Sequence, residues 1–536
     1  MNQKRLTNRE EIIAASQEAL AAWRAGKLDE AKRMAEHIRK SVSDFPKLTL
    51  LEAYIAQDKA EYLSELDILK NGLAELERTK SGDDNLAAEM WSMMGYTYHM
   101  LCQPQEAVAA FSRASDLEPN LPQRRIEASN AIFAANGAAD YAAKDFQVLY
   151  NRYEALLSPI IPLPKRLFSH DRLRIGYLSA DFCSHPVGKL MLPLLAHHDK
   201  TRFKIYCYAA NTTEDAATEK LRTSADVWRN IRACSDENAA NLVREDEIDI
   251  LVELGVHTKN NRLPILAYRP AAIQICGIGD VRSSGLSCVD YFLSDIYCAG
   301  DERSVREDFT EHVLRLPHTH FCFTPAENLP PVEPPPCLAR GFVTFGSFNN
   351  ASKLTDETLS LWNDILLRLP TSRLILKHKL FGYAEGGSYT KNRLKNLGFD
   401  LSRVELRGFS DNYLNEYNDI DVALDAYPYT GGMTTFEALS MGVPVVTRYG
   451  TRHGTRFGLS ILQNIGLGEL AVSTKKKYIE TAVALATDTE LLISLRKKLR
   501  GFIANSPLSD GAQYAADVES AYETVWADVP KEDKNQ

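Results

Sequence analysis

The chain lacks long apolar runs. No stretch reaches the roughly 20 consecutive apolar residues of a membrane-spanning helix. The start, Met1-Asn-Gln-Lys-Arg-Leu-Thr7, lacks the apolar core of a secretory leader. Positive charge is also short: the formal net charge is −9 at pH 7. That excludes a general basic footprint for nucleic acid, while local patches stay open. Cysteine is present without pattern. Nine cysteines lie scattered from Cys102 to Cys337 with no Cys-x-x-Cys pair, so neither a zinc ribbon nor a disulfide frame is expected and the thiols read as reduced. These absences point to a soluble cytoplasmic protein with no metal site, no nucleic-acid partner and no membrane span.

What remains is a globular composition, 45% hydrophobic and 25% charged, in 536 residues, enough for two to four domains. Residues 1–160 read as helices only. Trp91, Met94, Gly95, Tyr98, Ala107, Phe111, Ala114 and Pro119 follow the tetratricopeptide alternation of small and large residues. Such repeats commonly offer a concave face to a protein segment and can also support oligomers. From about residue 168 the period changes. Leu173–Ser179, Phe203–Tyr208, Ile248–Glu253, Ile273–Cys276 and Tyr291–Ser294 read as buried strands alternating with helices, an α/β layout over 168–316. Residues 317–340 are rich in proline and read as an extended linker. A second α/β set spans 341–510 and begins at Phe342–Phe348; a final helix and tail occupy 511–536. Two such halves facing each other across a linker would form a cleft suited to a nucleotide-linked donor and an acceptor.

One stretch organises the second half. Asp421 to Thr447 reads as strand, glycine turn, helix, strand. Gly431 and Gly432 allow a tight turn. The helix opened by Met433-Thr434-Thr435 presents amides without helical partners, a ready site for phosphate. Taken alone, the stretch fits an ordinary strand–helix crossover equally well. Asp419-Ile-Asp421 resembles a metal-binding Asp-x-Asp, but its place before a strand favours capping or pairing.

Helical repeats followed by His185-Pro-Val-Gly188, Arg269-Pro-Ala-Ala-Ile-Gln274, Phe348-Asn-Asn-Ala-Ser-Lys353 and Pro428-Tyr-Thr-Gly-Gly-Met-Thr-Thr435 resemble glycosyltransferase family 41, the protein O-GlcNAc transferases and Spindly-type protein O-fucosyltransferases. The resemblance covers residues from about 172 to 528. It implies a GT-B fold of two Rossmann-like domains, the C-terminal one holding the nucleotide sugar. It also implies inverting transfer to serine or threonine of a protein recruited by the repeats, without metal or other cofactor. Lys353 is implied as the cation on the leaving diphosphate, with Asn349 and Asn350 beside it, and His185 as an active-site histidine. Gly431, Gly432, Met433, Thr434, Thr435 and Arg456 are implied around the diphosphate, Glu437 at the ribose, and Gly408, Ser410 and Tyr413 around the base. His257 is a second histidine candidate, either at the site or capping a helix.

The chain departs from the pattern in two places. Gly432 stands where O-GlcNAc enzymes carry a histidine, and Met433 replaces a threonine. Spindly-type members also lack that histidine, so GDP-fucose stands beside UDP-GlcNAc, the leading donor on family frequency. Asp280 and Arg282 lie in Gly277–Gly285, where the family has a tryptophan followed by Tyr-Pro-Gly-Thr. A fixed charge there would fit an acidic donor sugar or an unusual acceptor, or mark lost activity. UDP-glucose, an adhesin N-glucosyl or flagellin acceptor, a non-catalytic scaffold and a sugar-nucleotide epimerase are the rival readings.

Overall fold

The computed structural model describes residues 9–42, 45–79, 82–279, 281–325 and 328–529. The chain forms two compact units. The first comprises Met1–Ala138 with Asn350–Ser352 and Leu376–Ser410; the second comprises the rest. Among the described residues, no helix is long and apolar enough to cross a membrane.

In the first unit, seven helices run from Arg9–Arg24 to Leu121–Ala135, each packed on the next. Small residues set how closely they pack. A Cβ on Gly95, in helix Asp84–Met100, would come 2.6 Å from the ring of Phe111 in helix Pro104–Leu117, and one on Gly72 would come 2.7 Å from Thr49. Ala107, Phe111 and Ala114 are buried, as the repeat pattern predicts. Segment 376–410 supplies helix Ala384–Asn396 to this unit: Tyr389 Oη donates to the Leu101 carbonyl at 3.0 Å, and Ser64 N–H donates to the Glu385 carboxylate at 3.0 Å.

The second unit takes in helix Ala143–Leu157, which the sequence reading places with the repeats. Its first sheet is parallel and built from β1 (Leu173–Ser179), β2 (Phe203–Ala209), β3 (Val227–Asn230), β4 (Ile250–Glu253), β5 (Ile273–Gly277), β6 (Tyr291–Asp295) and β7 (His312–Leu316) in the order β3-β2-β1-β4-β5-β6-β7. The sequence reading omits β3 and β7. Both are half-exposed edge strands, so they lack the continuous apolar run that marks the central strands.

The second sheet contains β8 (Thr344–Ser347), β9 (Arg373–Lys377), β10 (Val404–Arg407), β11 (Val422–Leu424), β12 (Val445–Arg448) and β13 (Ala471–Val472) in the order β10-β9-β8-β11-β12-β13. Strand β9 passes from the second unit into the first. The two sheets with flanking helices make a GT-B fold. The last helix, Gly511–Ala527, returns to the first sheet's side. Its Glu519 accepts from Asp199 N–H and pairs with His198 Nδ1, both at 2.8 Å, and His198 Nε2 meets Tyr177 Oη at 2.8 Å.

One buried acid in the repeats yields a test. Glu65 is fully buried, accepts from Gln57 Nε2 at 2.8 Å, and burial pushes its carboxyl from an ordinary 4.5 to about 8. Between these values the unfolded chain has released a proton that the folded chain retains, so stability falls as pH rises through this window and levels off above it. Glu65→Gln should leave thermal stability near pH 4.5 almost unchanged. At pH 8 it should raise unfolding free energy by roughly 1–3 kcal/mol, measured by urea titration at both pH values.

Candidate active site

Both sheets reverse strand order at one point, between β1 and β4 and between β8 and β11. Connections leave neighbouring strands in opposite directions there, opening a crevice at the strands' carboxyl ends. In the second sheet, β8 delivers Phe348–Lys353 to this point and β11 delivers Asp425–Gly432.

A buried carboxylate ties the two loops together. Asp425 accepts from Gly431 N–H at 2.8 Å, Ala426 N–H at 2.9 Å, Thr447 Oγ1 at 2.7 Å and, more weakly, Asn349 Nδ2 at 3.4 Å. Burial raises its pKa to about 6 against these donors. Asn349 is the second tie: its Oδ1 accepts from Thr434 Oγ1 at 2.9 Å and its Nδ2 donates to Ser347 Oγ at 3.2 Å. Gly431 has no room for a side chain, because a Cβ would sit 2.6 Å from Thr434 Oγ1 and 2.8 Å from Thr435 Oγ1. Gly432 differs. A Cβ there meets nothing within 4 Å, and this residue caps helix Met433–Ser440 without a side-chain acceptor. The helix start, with its unpaired amides, therefore borders open space.

Lys353 ends the short turn Ala351–Lys353. Its Nζ donates to the Thr430 carbonyl at 3.2 Å and lies 3.6 Å over the Tyr429 ring. Desolvation lowers its pKa to about 8, with Asp425 pulling the other way. A carbonyl and a ring face compensate an ammonium only partly, and an arriving anion would complete its shell. The cradle thus combines a poised cation with a helix N-terminus, a pairing suited to an oxyanion such as a diphosphate.

The profile of glycosyl transferase family 41 matches residues 138–331 and 337–518. The chain belongs to glycosyl transferase family 41. It is 37% identical over 428 residues to the probable UDP-N-acetylglucosamine–peptide N-acetylglucosaminyltransferase SPINDLY of Petunia hybrida, covering 77% of this chain and 45% of the relative. It is 39% identical over 361 residues to the SPINDLY protein of Arabidopsis thaliana, covering 66% of this chain and 39% of the relative. The chain thus spans less than half the length of these curated relatives. Among solved structures, an O-GlcNAc transferase mutant of Thermobaculum terrenum superposes with a TM-score of 0.84 at 31% identity, covering 98% of this chain and 99% of the other.

Other family-motif residues assist the cradle from its rim. The Tyr413 hydroxyl donates to Glu437 at 2.7 Å, so the tyrosine expected to stack on a base and the acid expected at a ribose are bonded to each other. Burial raises the Glu437 pKa, opposed by Tyr413 and by the charge of Lys189. Lys189 lies in the first turn of helix Pro186–His197, which His185 caps. This places His185 on the side of the first sheet that faces the cradle. Its Nδ1 accepts from Val187 N–H at 3.3 Å, with the Asp181 carboxylate at 3.7 Å. A neutral ring so held carries its proton on Nε2 and presents a donor; accepting a proton there requires the other tautomer, which Asp181 would stabilise. Gly188 completes this motif by packing on backbone, since a Cβ would lie 2.2 Å from the Cys183 carbonyl.

Four expectations are corrected by packing. The Thr435 hydroxyl is buried and donates to the Gly431 carbonyl at 3.0 Å, so it shapes the turn and offers no donor outward. Arg456 Nε donates to the Tyr297 carbonyl at 2.7 Å and its Nη1 to the Gly450 carbonyl at 2.8 Å, so these two donors latch loops and are not free for a phosphate. Arg282 is buried, paired with Asp308 and stacked 3.7 Å over Phe146, so its charge is neutralised within the protein and not offered to a sugar. His257 packs against Tyr150 and Tyr153, is bonded to the Ser284 carbonyl at 2.9 Å and is lowered by burial to about 4; helix Pro264–Ala267 begins at Leu263 without a side-chain cap from it.

Asp280 lies outside the described residues. Met433 is partly buried in the first turn beyond Gly432. Asn350, Gly408 and Ser410 belong to the first unit. There Asn350 accepts from Ser352 N–H at 3.1 Å and the Gly408 carbonyl accepts from Lys377 Nζ at 2.9 Å. Asp419 pairs with Arg340, and Asp421 accepts from Thr344 and Cys337 amides at 2.8 and 3.0 Å, so this Asp-x-Asp holds structure together. Asp425 and Tyr429 are the residues the sequence reading misses. Their one signal was position in the Asp425-Ala-Tyr-Pro-Tyr429 run before the glycines.

Because the ammonium of Lys353 is lost as pH rises through about 8, anion affinity of the donor-free protein should fall above that pH. Calorimetric titration with UDP and with GDP should show, for whichever binds, a loss of about tenfold per pH unit above 8 until the raised pKa of the complex is reached. In Lys353→Met the same pH dependence should be absent.

Proposed function

We propose that this family 41 chain is a protein O-glycosyltransferase that moves a sugar from a nucleotide diphosphate to serine or threonine of a protein, with inversion at the anomeric carbon. The observation that carries this reading is Lys353, held between Tyr429 and the Thr430 carbonyl beside the open helix start at Gly432. The acceptor oxygen attacks the anomeric carbon as the bond to the diphosphate breaks and its electron pair leaves with the phosphate. Lys353 and the helix amides stabilise that developing charge, so the step is proposed to run without a metal or other cofactor. The hydroxyl proton passes to a base, for which His185 in its Nδ1–H tautomer is the proposed residue. The repeats recruit the acceptor, and the reaction is placed in the cytoplasm.

UDP-GlcNAc is the leading donor, supported by the activity for which the SPINDLY relatives and the Thermobaculum terrenum O-GlcNAc transferase are named. GDP-fucose is the second reading. It is favoured by Gly432, where the imidazole of O-GlcNAc enzymes is replaced by open space.

Two measurements test the proposal. Lys353→Ala should keep its melting temperature and lose on the order of 10²–10³ in turnover; a folded variant with near-normal transfer overturns the mechanism. In a competition of labelled UDP-GlcNAc, UDP-glucose and GDP-fucose, Gly432→His should shift preference toward UDP-GlcNAc without loss of folding, because the added side chain enters unfilled space. An unchanged preference shows that this position does not select the donor.

A further inference from the structure

Among the described residues, one set of side chains able to ligate a metal is enclosed in the second unit, separate from the cradle. Cys298 follows β6, His320 follows β7, and His453 precedes helix Phe457–Asn464. Each brings one ligand atom to within 4.8 Å of the others, and none is more than 1% exposed. Their hydrogen bonds are uneven. His320 Nδ1 is held by Asp295 Oδ2 at 2.5 Å, while its Nε2 is buried with no hydrogen-bond partner. A ring nitrogen deprived of both water and a partner is costly and calls for an explanation. His453 Nδ1 faces the Val281 carbonyl at 3.2 Å and its Nε2 meets Ser294 Oγ at 2.9 Å. Each ring is thus oriented by a carboxylate or a backbone carbonyl at Nδ1, the arrangement in which proteins hold metal-binding histidines; Nε2 is unpartnered in His320, whereas in His453 the Ser294 hydroxyl occupies it and has to yield to an ion.

We propose that Cys298, His320 and His453 form a structural site for a zinc-class divalent ion, bound by the thiolate and the two Nε2 atoms. One sulfur and two nitrogens suit a borderline-soft ion that favours tetrahedral geometry. Ser294 Oγ or a water takes the fourth position. Bonds of about 2.0–2.3 Å require the ligand atoms to draw closer than they stand, a matter of side-chain rotation. Charge closes as well: the thiolate and a divalent ion leave one positive charge, and Asp295 at the back of His320 neutralises it. On loading, the sulfur–metal bond forms as the Cys298 thiol releases its proton to solvent and gives up its 3.3 Å bond to the Arg456 carbonyl. Cys298 and His320 hang from the first sheet, whereas His453 belongs to the loop after β12 of the second. The ion would therefore staple the two halves that flank the crevice, beside the Arg456 latch.

The test uses the tag-free full chain, stripped with chelator and titrated with CoCl2 and then ZnCl2. The expected result is one equivalent of Co2+, with tetrahedral visible bands and a near-ultraviolet thiolate-to-cobalt band, both displaced by Zn2+, and a melting temperature raised by either ion. Cys298→Ser should abolish the thiolate band, and His320→Gln should weaken uptake at least tenfold. Absence of stoichiometric uptake by the folded wild-type chain, uptake without a thiolate band, or undiminished uptake by folded Cys298→Ser overturns the site. If the variants do not fold, the wild-type spectra decide alone.

Discussion

The Asp425 carboxylate is the constraint on which the cradle depends. It sits at the end of β11 and gathers an amide from the glycine turn, its neighbour's amide, a hydroxyl from β12 and the Asn349 amide from the loop after β8. Burying an anion among these donors is worthwhile only if all of them stay in place. The arrangement consequently holds Gly431 in its turn, Asn349 against Thr434, and the Thr430 carbonyl where Lys353 reaches it. Below it, Tyr478 donates to the Asp425 carbonyl at 3.0 Å and takes a hydrogen bond from Trp362 at 3.0 Å, which anchors the strand end in the core.

This design separates charges that hold the fold from charges left for a ligand. Arg282, Arg456 and His257 each looked like site residues in sequence, and each is occupied by a protein partner. Lys353 is the exception in kind: its neighbours are a neutral carbonyl and a ring face, and burial already pulls its pKa down. A cation so placed gains from an arriving diphosphate what it lacks in the free protein, and this asymmetry makes it the centre of the proposed chemistry. Lys189 and Glu437 bring the same logic to the rim, where charge from the first sheet's helix acts on the second sheet's.

The two sheets share one strand order, with the reversal point carrying His185 in the first and the cradle in the second. The Cys298, His320 and His453 group and the Arg456 latch lie where loops of the two halves meet. The repeat unit is built differently, by close helix approach at Gly72 and Gly95.

The sequence by itself determined the helical repeats, the two α/β sets, the central strands and the motif loops. Each is encoded by local periodicity or by contiguous residues such as Phe348–Lys353 and Pro428–Thr435. It did not reveal β3 and β7, whose half-exposed edges carry no apolar run, nor that segment 376–410 packs with the repeats. Tertiary structure alone decided which polar side chains remain available. Whether an arginine meets a ligand or a carbonyl, and whether scattered cysteine and histidine converge, depends on residues far apart in the chain. Spacing along the sequence carries no record of such distances. Asp425 shows the division plainly: an acidic residue at a strand end was legible, but its four donors were not, because they come from its own turn, from β12 and from the loop after β8.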